Sequence, residues 1–131
     1  MNITRASDFA IRILVRLAVD GEATTCEALA KEIDVPYNHV AKIVQLLARR
    51  GFLLTRRGKC GGLSLAVDPR RISLADVIEA VEGPLTISHC VLRKESCRFS
   101  PKCKVRTCFG AVQAKIRGML ADRTILEMAR A

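Results

Sequence analysis

The fold of this chain is decided by residues 34–51, which read DVPYNHVAKIVQLLARRG. Proline suits the first turn of a helix and glycine suits the position after its end, so Pro36 and Gly51 predict a helix from Tyr37 to Arg50. Its apolar residues recur three and four apart on one side: Val40, Ile43, Val44 and Leu47. The stretch therefore predicts a helix that follows a tight turn and packs one face on a core.

The opposite face of this helix is polar and carries Asn38, Lys42, Gln45 and Arg49. A major groove admits one helix, and recognition helices present their N-terminal residues to base edges. We therefore expect base contacts from the residues that come first: Tyr37, Asn38, His39 and Lys42. Asn38 and Gln45 have the donor and acceptor pair that adenine matches, while Lys42 suits guanine or phosphate. The alternatives are a face that is only solvated, and a Tyr37 that only packs where the helix begins.

Two further helices are expected upstream. Ser7 can cap a helix that runs to about Val19, because a hydroxyl satisfies the free N–H groups of a first turn. Thr24 and Glu27 have the spacing of a capping box and predict a short helix through Ile33.

A β-hairpin is expected downstream. Residues 52–57 and 63–67 are short apolar runs, and the glycine-rich segment 58–62 joins them. Three helices followed by a hairpin predict a mainly α fold, the winged helix-turn-helix. We assign residues 1–83 to this DNA-binding domain.

The remaining sequence divides into a cysteine-rich loop, residues 84–103, and a helical segment, residues 104–131. Ser73 and Asp76 predict the start of a helix that ends at Glu82, just before the loop. A long helix is expected from Lys104 to Ala121, with a final short helix capped by Thr124 and Glu127. The apolar residues of the long helix form a narrow seam suited to a second helix, namely Val105, Phe109, Val112, Ile116 and Met119. This seam predicts a homodimer.

Charge favours a nucleic acid as the partner. The formal net charge is +9, and residues 35–60 hold six basic and no acidic residues. Arg56, Arg57 and Lys59 flank the glycine-rich turn of the hairpin, where they can neutralise phosphates. Because the chain has four Phe, one Tyr and no Trp, stacking on single strands is disfavoured and double-stranded DNA is expected. There is no apolar run long enough to span a membrane, no secretion signal and no catalytic motif, so we expect a cytoplasmic protein that is not an enzyme.

Six cysteines are many for a cytoplasmic chain, whose thiols stay reduced, and they predict metal binding. Cys90, Cys97, Cys103 and Cys108 are separated by six, five and four residues. Zinc sites usually contain closer pairs, whereas wide spacing suits an iron–sulfur cluster. Zinc and inert thiols remain the alternatives. The other two cysteines are interpreted as a core residue, Cys26, and an exposed thiol, Cys60.

Three stretches together with this cysteine spacing resemble the Rrf2 family of bacterial winged-helix regulators. They are residues 3–12 (ITRASDFAIR), 57–65 (RGKCGGLSL) and 72–83 (ISLADVIEAVEG). Within the family the resemblance is to its nitric-oxide-sensing repressors and, next, to its iron–sulfur biogenesis regulators. It implies a homodimer that crosses its long helices and binds an imperfect palindromic operator.

The resemblance also implies an iron–sulfur cluster on Cys90, Cys97 and Cys103, with 4Fe–4S favoured and 2Fe–2S as the alternative. Some members add a histidine three residues beyond the last cysteine, but here that position is Arg106, which cannot ligate. The fourth ligand is then expected to be Asp8 of the partner subunit or Cys108. The resulting hypothesis is a repressor whose DNA affinity the cluster controls. The alternative is a regulator of the same fold that senses thiol oxidation or a metabolite without a cluster.

Overall fold

The structure is a computed structural model that describes residues 2–57, 62–93, 97–99 and 102–130. The described residues are mainly helical, with a two-stranded antiparallel hairpin after the third helix. The helices are α1 (Arg5–Asp20), α2 (Cys26–Glu32), α3 (Tyr37–Arg49), α4 (Leu74–Glu82), α5 (His89–Leu92), α6 (Lys104–Ala121) and α7 (Ile125–Ala129). The strands are β1 (Leu53–Arg56) and β2 (Gly62–Leu65), and a 3-10 turn spans Pro69–Arg71. This order is that of the predicted winged helix-turn-helix.

The predicted caps of α1 and α2 are wrong by three residues and by one residue, respectively. Thr4, not Ser7, caps α1 by accepting a hydrogen bond from the Ser7 amide at 3.4 Å. Thr25, not Thr24, caps α2 through the amide of Ala28 at 3.1 Å. Thr24 instead pairs with the hairpin.

One core joins the N-terminal half to the C-terminal helix. The buried side of α1 contributes Ala10, Ile13, Leu14 and Leu17, and that of α3 contributes Val40, Ile43, Val44 and Leu47, as predicted. Ile72 and Ile125 are fully buried in the same cluster, which places α7 against α1. Since burial of such side chains is the main stabilising term in folding, α3 is held on a rigid base.

The hairpin is anchored to the rest of the domain by a third extended segment. β1 and β2 pair with Leu53 opposite Leu65 and Arg56 opposite Gly62. Thr24 bridges to Leu63 on the outer side, and the Thr24 amide donates to the Leu63 carbonyl at 3.0 Å. A Cβ on Gly62 would lie 2.6 Å from the Thr24 carbonyl oxygen, so this close approach requires glycine.

The helices that flank the cysteine-rich loop have the predicted bounds. Ser73 and Asp76 form the capping box of α4, and α6 begins at Lys104 and ends at Ala121. The short helix α5 inside the loop was not predicted. No residue of α6 is buried. The helix α6 is tied to α4 by Arg117, whose Nε lies 2.7 Å from Glu79 Oε1 and whose second contact, to Oε2, spans 3.1 Å.

The C-terminal helix α7 has the predicted capping box of Thr124 and Glu127. Two backbone hydrogen bonds hold the start of α4 against the start of α7. The Ile125 amide donates to the Ile72 carbonyl at 2.8 Å, and the Leu74 amide donates to the Arg123 carbonyl at 2.9 Å. Among the helices of the described ranges, none is both long and apolar enough to cross a membrane.

Candidate DNA interface and cysteine pocket

Helix α3 exposes each of its own residues that the sequence nominated for DNA contact. These residues are Tyr37, Asn38, His39, Lys42, Gln45 and Arg49. Their side of the helix lies opposite the buried one, so the polar groups face outward from a fixed position. The arrangement can present two amides and two cations to one groove.

His39 has a contact that the sequence did not reveal. Its ring lies 6.1 Å from that of Phe9 in α1, centroid to centroid, at an angle of 42°. Phe9 is half-buried, and the contact joins the first turn of α3 to the first half of α1. An aromatic neighbour at this distance restrains the imidazole, so His39 is both exposed and oriented.

The hairpin carries its predicted cations outward. Arg56 ends β1 and Arg57 follows it, and both side chains are exposed. The other two residues predicted for this turn, Lys59 and Cys60, lie outside the described residues.

The three cysteines expected to hold a cluster line one cavity. Cys90 comes from α5, Cys97 from the loop, and Cys103 from the residue that precedes α6. The cavity has a volume of about 270 Å³, and Phe99, Val105 and Arg106 complete its walls. The structure thus places three cysteines from separate segments around one cavity.

The size of this cavity bears on what it can hold. A cavity needs about 10–15 Å³ of space to hold one water molecule, so the space of about 270 Å³ exceeds the need of a single ion. Within the described ranges no three His, Cys, Asp or Glu side chains converge closely enough to hold one metal ion. The described part of the cavity wall therefore offers three cysteines but lacks the close convergence of ligands that a site for one zinc ion has.

The Cys90 sulfur has a neighbour in the loop. Ser88 precedes α5 but does not cap it, and its Oγ lies 3.0 Å from Cys90 Sγ. Thr86 Oγ1 donates to the Ser88 carbonyl at 2.9 Å, and the Ile87 amide donates to Gln113 Oε1 of α6 at 3.1 Å. The segment that carries Cys90 is therefore fastened to the long helix.

Comparison with known proteins decides the family. Residues 3–131 match the profile of a family described as "Rrf2: Iron-dependent Transcriptional regulator". The chain belongs to the Rrf2 family. The family resemblance read from the sequence is confirmed, and the chain is a transcriptional regulator.

Individual relatives of this Rrf2 protein agree in sequence and in fold. It is 30% identical over 109 residues to the HTH-type transcriptional regulator NsrR of Bacillus subtilis. The aligned region covers 81% of this chain and 75% of that relative. Its fold matches CymR (YrzC), the global cysteine regulator of B. subtilis, with a TM-score of 0.84 and 19% identity over 99% of this chain and 97% of that one. It also matches IscR of T. potens, with a TM-score of 0.80 and 19% identity over 99% and 87% of the two chains. The predicted fold class is confirmed.

Neither Cys108 nor Asp8 is among the residues that line the cavity within one subunit, and the expected Asp8 is that of the partner subunit. Cys108 is exposed on α6 and is not among the residues of the cavity wall. Asp8 lies in the first turn of α1, where its carboxylate pairs with Arg12 at 3.0 Å. Arg106, three residues beyond Cys103, does line the cavity.

Cys26 belongs to the core, as interpreted from the sequence. It is half-buried on α2 and packs against the main hydrophobic cluster. Burial, and then the neighbouring Glu27, raise the pKa of the Cys26 thiol above its ordinary value. A thiol that resists ionisation is a poor nucleophile and a poor metal ligand.

A carboxylate at the end of α4 holds the start of α1, which sequence reasoning missed. Glu82 Oε1 accepts hydrogen bonds from the Thr4 amide and the Thr4 hydroxyl, each at 2.9 Å, and from the fully buried Ser7 hydroxyl. Burial raises the pKa of Glu82, but the hydrogen bonds from Ser7 and Thr4 outweigh it and hold this pKa below its ordinary value. This contact joins the residue just before the cysteine-rich loop to the first turn of the DNA-binding domain.

Proposed function

We propose that this Rrf2 protein is a DNA-binding repressor whose operator affinity is controlled by an iron–sulfur cluster. The observation that carries the proposal is the meeting of Cys90, Cys97 and Cys103 around one cavity. The cluster would sense nitric oxide, redox state or the supply of iron and sulfur. We favour 4Fe–4S, with 2Fe–2S as the alternative.

The residues of the cavity supply most of what such a cluster needs. Thiolates are the usual ligands of iron–sulfur clusters, and this cavity offers three of them. Asp8 of the partner subunit or Cys108 would provide the fourth ligand. When bound, the cluster supplies iron that nitric oxide and oxygen attack and that is lost when iron is scarce.

The DNA-contacting surface is proposed on α3 and the hairpin. Asn38 and Gln45 would read base edges in the major groove, and Tyr37, His39 and Lys42 would contact bases or phosphates beside them. The remaining cations would neutralise backbone phosphates, namely Arg49, Arg56, Arg57 and Lys59.

A homodimer would place two such surfaces on one duplex. On α6 the side chains of Val105, Phe109, Val112 and Met119 are 39–67% exposed. An apolar row of this kind on an otherwise charged helix is stabilised by packing on a second copy. Two recognition helices related by a two-fold axis would bind half-sites about one helical turn apart, in an imperfect palindrome.

The position of the cavity suggests how the cluster and DNA binding are coupled. Cys103 directly precedes α6, and the Cys90 segment is fastened to α6 through Gln113. Ordering the three sulfurs would therefore fix α6 relative to the end of α4, and with it the spacing of the two recognition helices. A tenfold change in operator affinity needs only about 1.4 kcal/mol of such coupling.

The test uses protein purified without oxygen. We expect a coloured protein with iron and acid-labile sulfide, and we expect Cys90→Ala, Cys97→Ala and Cys103→Ala each to remove the chromophore. Cys26→Ala is the matched control and should keep it, because Cys26 packs in the core.

DNA binding completes the test. An operator duplex selected from a random library by the loaded protein is titrated by fluorescence anisotropy at one ionic strength. We expect the loaded and iron-free forms to differ at least tenfold in dissociation constant. Equal binding by the two forms would refute cluster control, whatever the colour of the protein.

The second candidate is a thiol sensor of the same fold. Cys90, Cys97 and Cys103 are half-buried free thiols, so an oxidant can reach them. This function predicts a colourless protein whose operator binding changes with peroxide and is restored by a thiol reductant. A metabolite sensor would instead respond to neither iron removal nor peroxide.

A further inference from the structure

Two residues next to the proposed cluster would not be ligands, but each is close enough to influence it. They are Ser88, whose hydroxyl lies beside the Cys90 sulfur, and Arg106, which is one of the residues that line the cavity. We propose that Ser88 and Arg106 raise the reduction potential of the cluster by stabilising its more negative, reduced state. This inference rests on the proposed function and names the residues that set the redox response of that site.

Ser88 is placed to donate a hydrogen bond to a ligand sulfur. Its backbone has the extended conformation of a helix cap, at φ −155° and ψ 143°, yet its side chain makes no capping hydrogen bond. The hydroxyl instead lies 3.0 Å from Cys90 Sγ. A ligating thiolate carries no proton, so Ser88 must be the donor in the loaded protein. Hydrogen bonds to the sulfurs are among the features that set cluster potentials.

The geometry of this serine is maintained by its neighbours. Thr86 donates to the Ser88 carbonyl, and the Ile87 amide is held by Gln113. The hydroxyl therefore reaches the sulfur from a backbone that is fixed on both sides. An ordinary N-terminal serine would have satisfied the helix amides instead.

Arg106 acts through its charge. A guanidinium stays protonated at any pH that a protein experiences, so Arg106 keeps its positive charge beside the cavity. Phe99 and Val105 line the same cavity, and apolar walls reduce the screening of that charge. One-electron reduction adds one negative charge to the contents of the cavity. The attraction to Arg106 is thus larger in the reduced state than in the oxidised state, and the potential rises.

Both groups act in the same direction by different routes. Ser88 acts on one ligand through a hydrogen bond, whereas Arg106 acts on the whole cluster through space. Removing either group should make reduction harder. A residue with a merely structural role would change the cluster content and leave the potential of the remaining cluster unchanged.

The experiment is a spectroelectrochemical titration of the loaded full chain under nitrogen, with the electrode supplying electrons through soluble mediators. The variants are Ser88→Ala, Arg106→Gln and Arg106→Lys, and Lys104→Gln is the control, because Lys104 is exposed and not in the cavity wall. Iron and sulfide are measured on every sample, so that loss of ligation is not mistaken for a shift in potential.

We expect Arg106→Gln to change the oxidised-to-reduced ratio about tenfold at the wild-type midpoint, which is about 59 mV for one electron. Ser88→Ala should give about a threefold change in the same direction, Arg106→Lys should restore most of the wild-type midpoint, and Lys104→Gln should leave it unchanged.

Failures of the inference and of the function are distinguishable. Wild-type protein without iron or sulfide would refute the proposed function and this inference with it. A loaded wild type whose Ser88→Ala and Arg106→Gln variants keep its midpoint would refute the inference alone. If Arg106→Gln cannot hold the cluster, Ser88→Ala and Arg106→Lys decide, and an unchanged midpoint in Ser88→Ala then overturns the proposal.

Discussion

Replacing Arg56 and Arg57 by glutamine should halve the salt dependence of DNA binding. The cations proposed to neutralise backbone phosphates number four in each subunit: Arg49, Arg56, Arg57 and Lys59. Each phosphate neutralised on duplex DNA contributes about −0.9 to the slope of log affinity against log salt, so a dimer should show a slope of about −7. The double variant loses four contacts in the dimer and should show about −3.6.

These slopes correspond to large differences in a simple assay. Between 50 and 200 mM KCl the wild type should lose about 10⁴-fold in affinity and the double variant about 100-fold, measured by fluorescence anisotropy on the selected operator. The matched control is Arg70→Gln with Arg123→Gln. It removes two cations per subunit that already face carboxylates, Arg70 toward Asp68 at 2.7 Å and Arg123 toward Glu127 at 3.8 Å. An unchanged slope in the Arg56/Arg57 variant, or an equal loss in the control, would show that the hairpin does not contact phosphates.

Three further predictions concern stability and assembly. Glu82→Ala leaves a buried serine hydroxyl without its acceptor and should lower the free energy of unfolding by about 1–3 kcal/mol in urea denaturation. Because the pKa of Glu82 is lowered in the folded state, the ionised carboxylate stabilises the fold above the unfolded pKa of about 4.3, and this stabilisation is lost as pH falls through the folded pKa. Glu82→Gln should remove that part of the acid dependence of the free energy of unfolding. An acid profile identical to that of the wild type would contradict the role of Glu82. Gly62→Ala places a methyl group against the Thr24 carbonyl and should cost about 1–3 kcal/mol, so a wild-type urea midpoint would contradict the close approach. Phe109→Glu should weaken the dimer at least tenfold by analytical ultracentrifugation, whereas Ala114→Glu, on the other side of α6, should leave it intact; equal effects would place the interface elsewhere.

The sequence predicted the helices well because their signals are local. The bounds of α4 and α6 follow from a capping box, from Gly83 and from apolar spacing, all within one or two turns. The caps of α1 and α2 were misplaced because distant residues decide them. Ser7 is taken by Glu82, and Thr24 is taken by Leu63 of the hairpin. Neither partner is visible in the local sequence.

The cysteine cavity was predictable only in part. The spacing of Cys90, Cys97 and Cys103 indicated a shared site, and the structure places them around one cavity. The positions of Ser88 and Arg106 were not predictable, since they depend on where α5 and α6 begin. A serine two residues before a cysteine does not by itself predict a contact with the cysteine sulfur. The contact becomes evident only from the structure, where Ser88 precedes α5 without making a capping hydrogen bond.

The paired contact of Arg117 with Glu79 has a consequence for how two subunits would measure a DNA site. Arg117 lies on α6, which has 18 residues and is therefore about 27 Å long. The contact with Glu79 restrains the angle between α6 and α4. A tilt of about 10° at Arg117 would move the start of α6, about 20 Å away, by about 3.4 Å, which is the rise of one base step. In the proposed dimer, the distance between two half-sites would thus depend on the pairing of this guanidinium and carboxylate, together with the Gln113 contact that also holds α6.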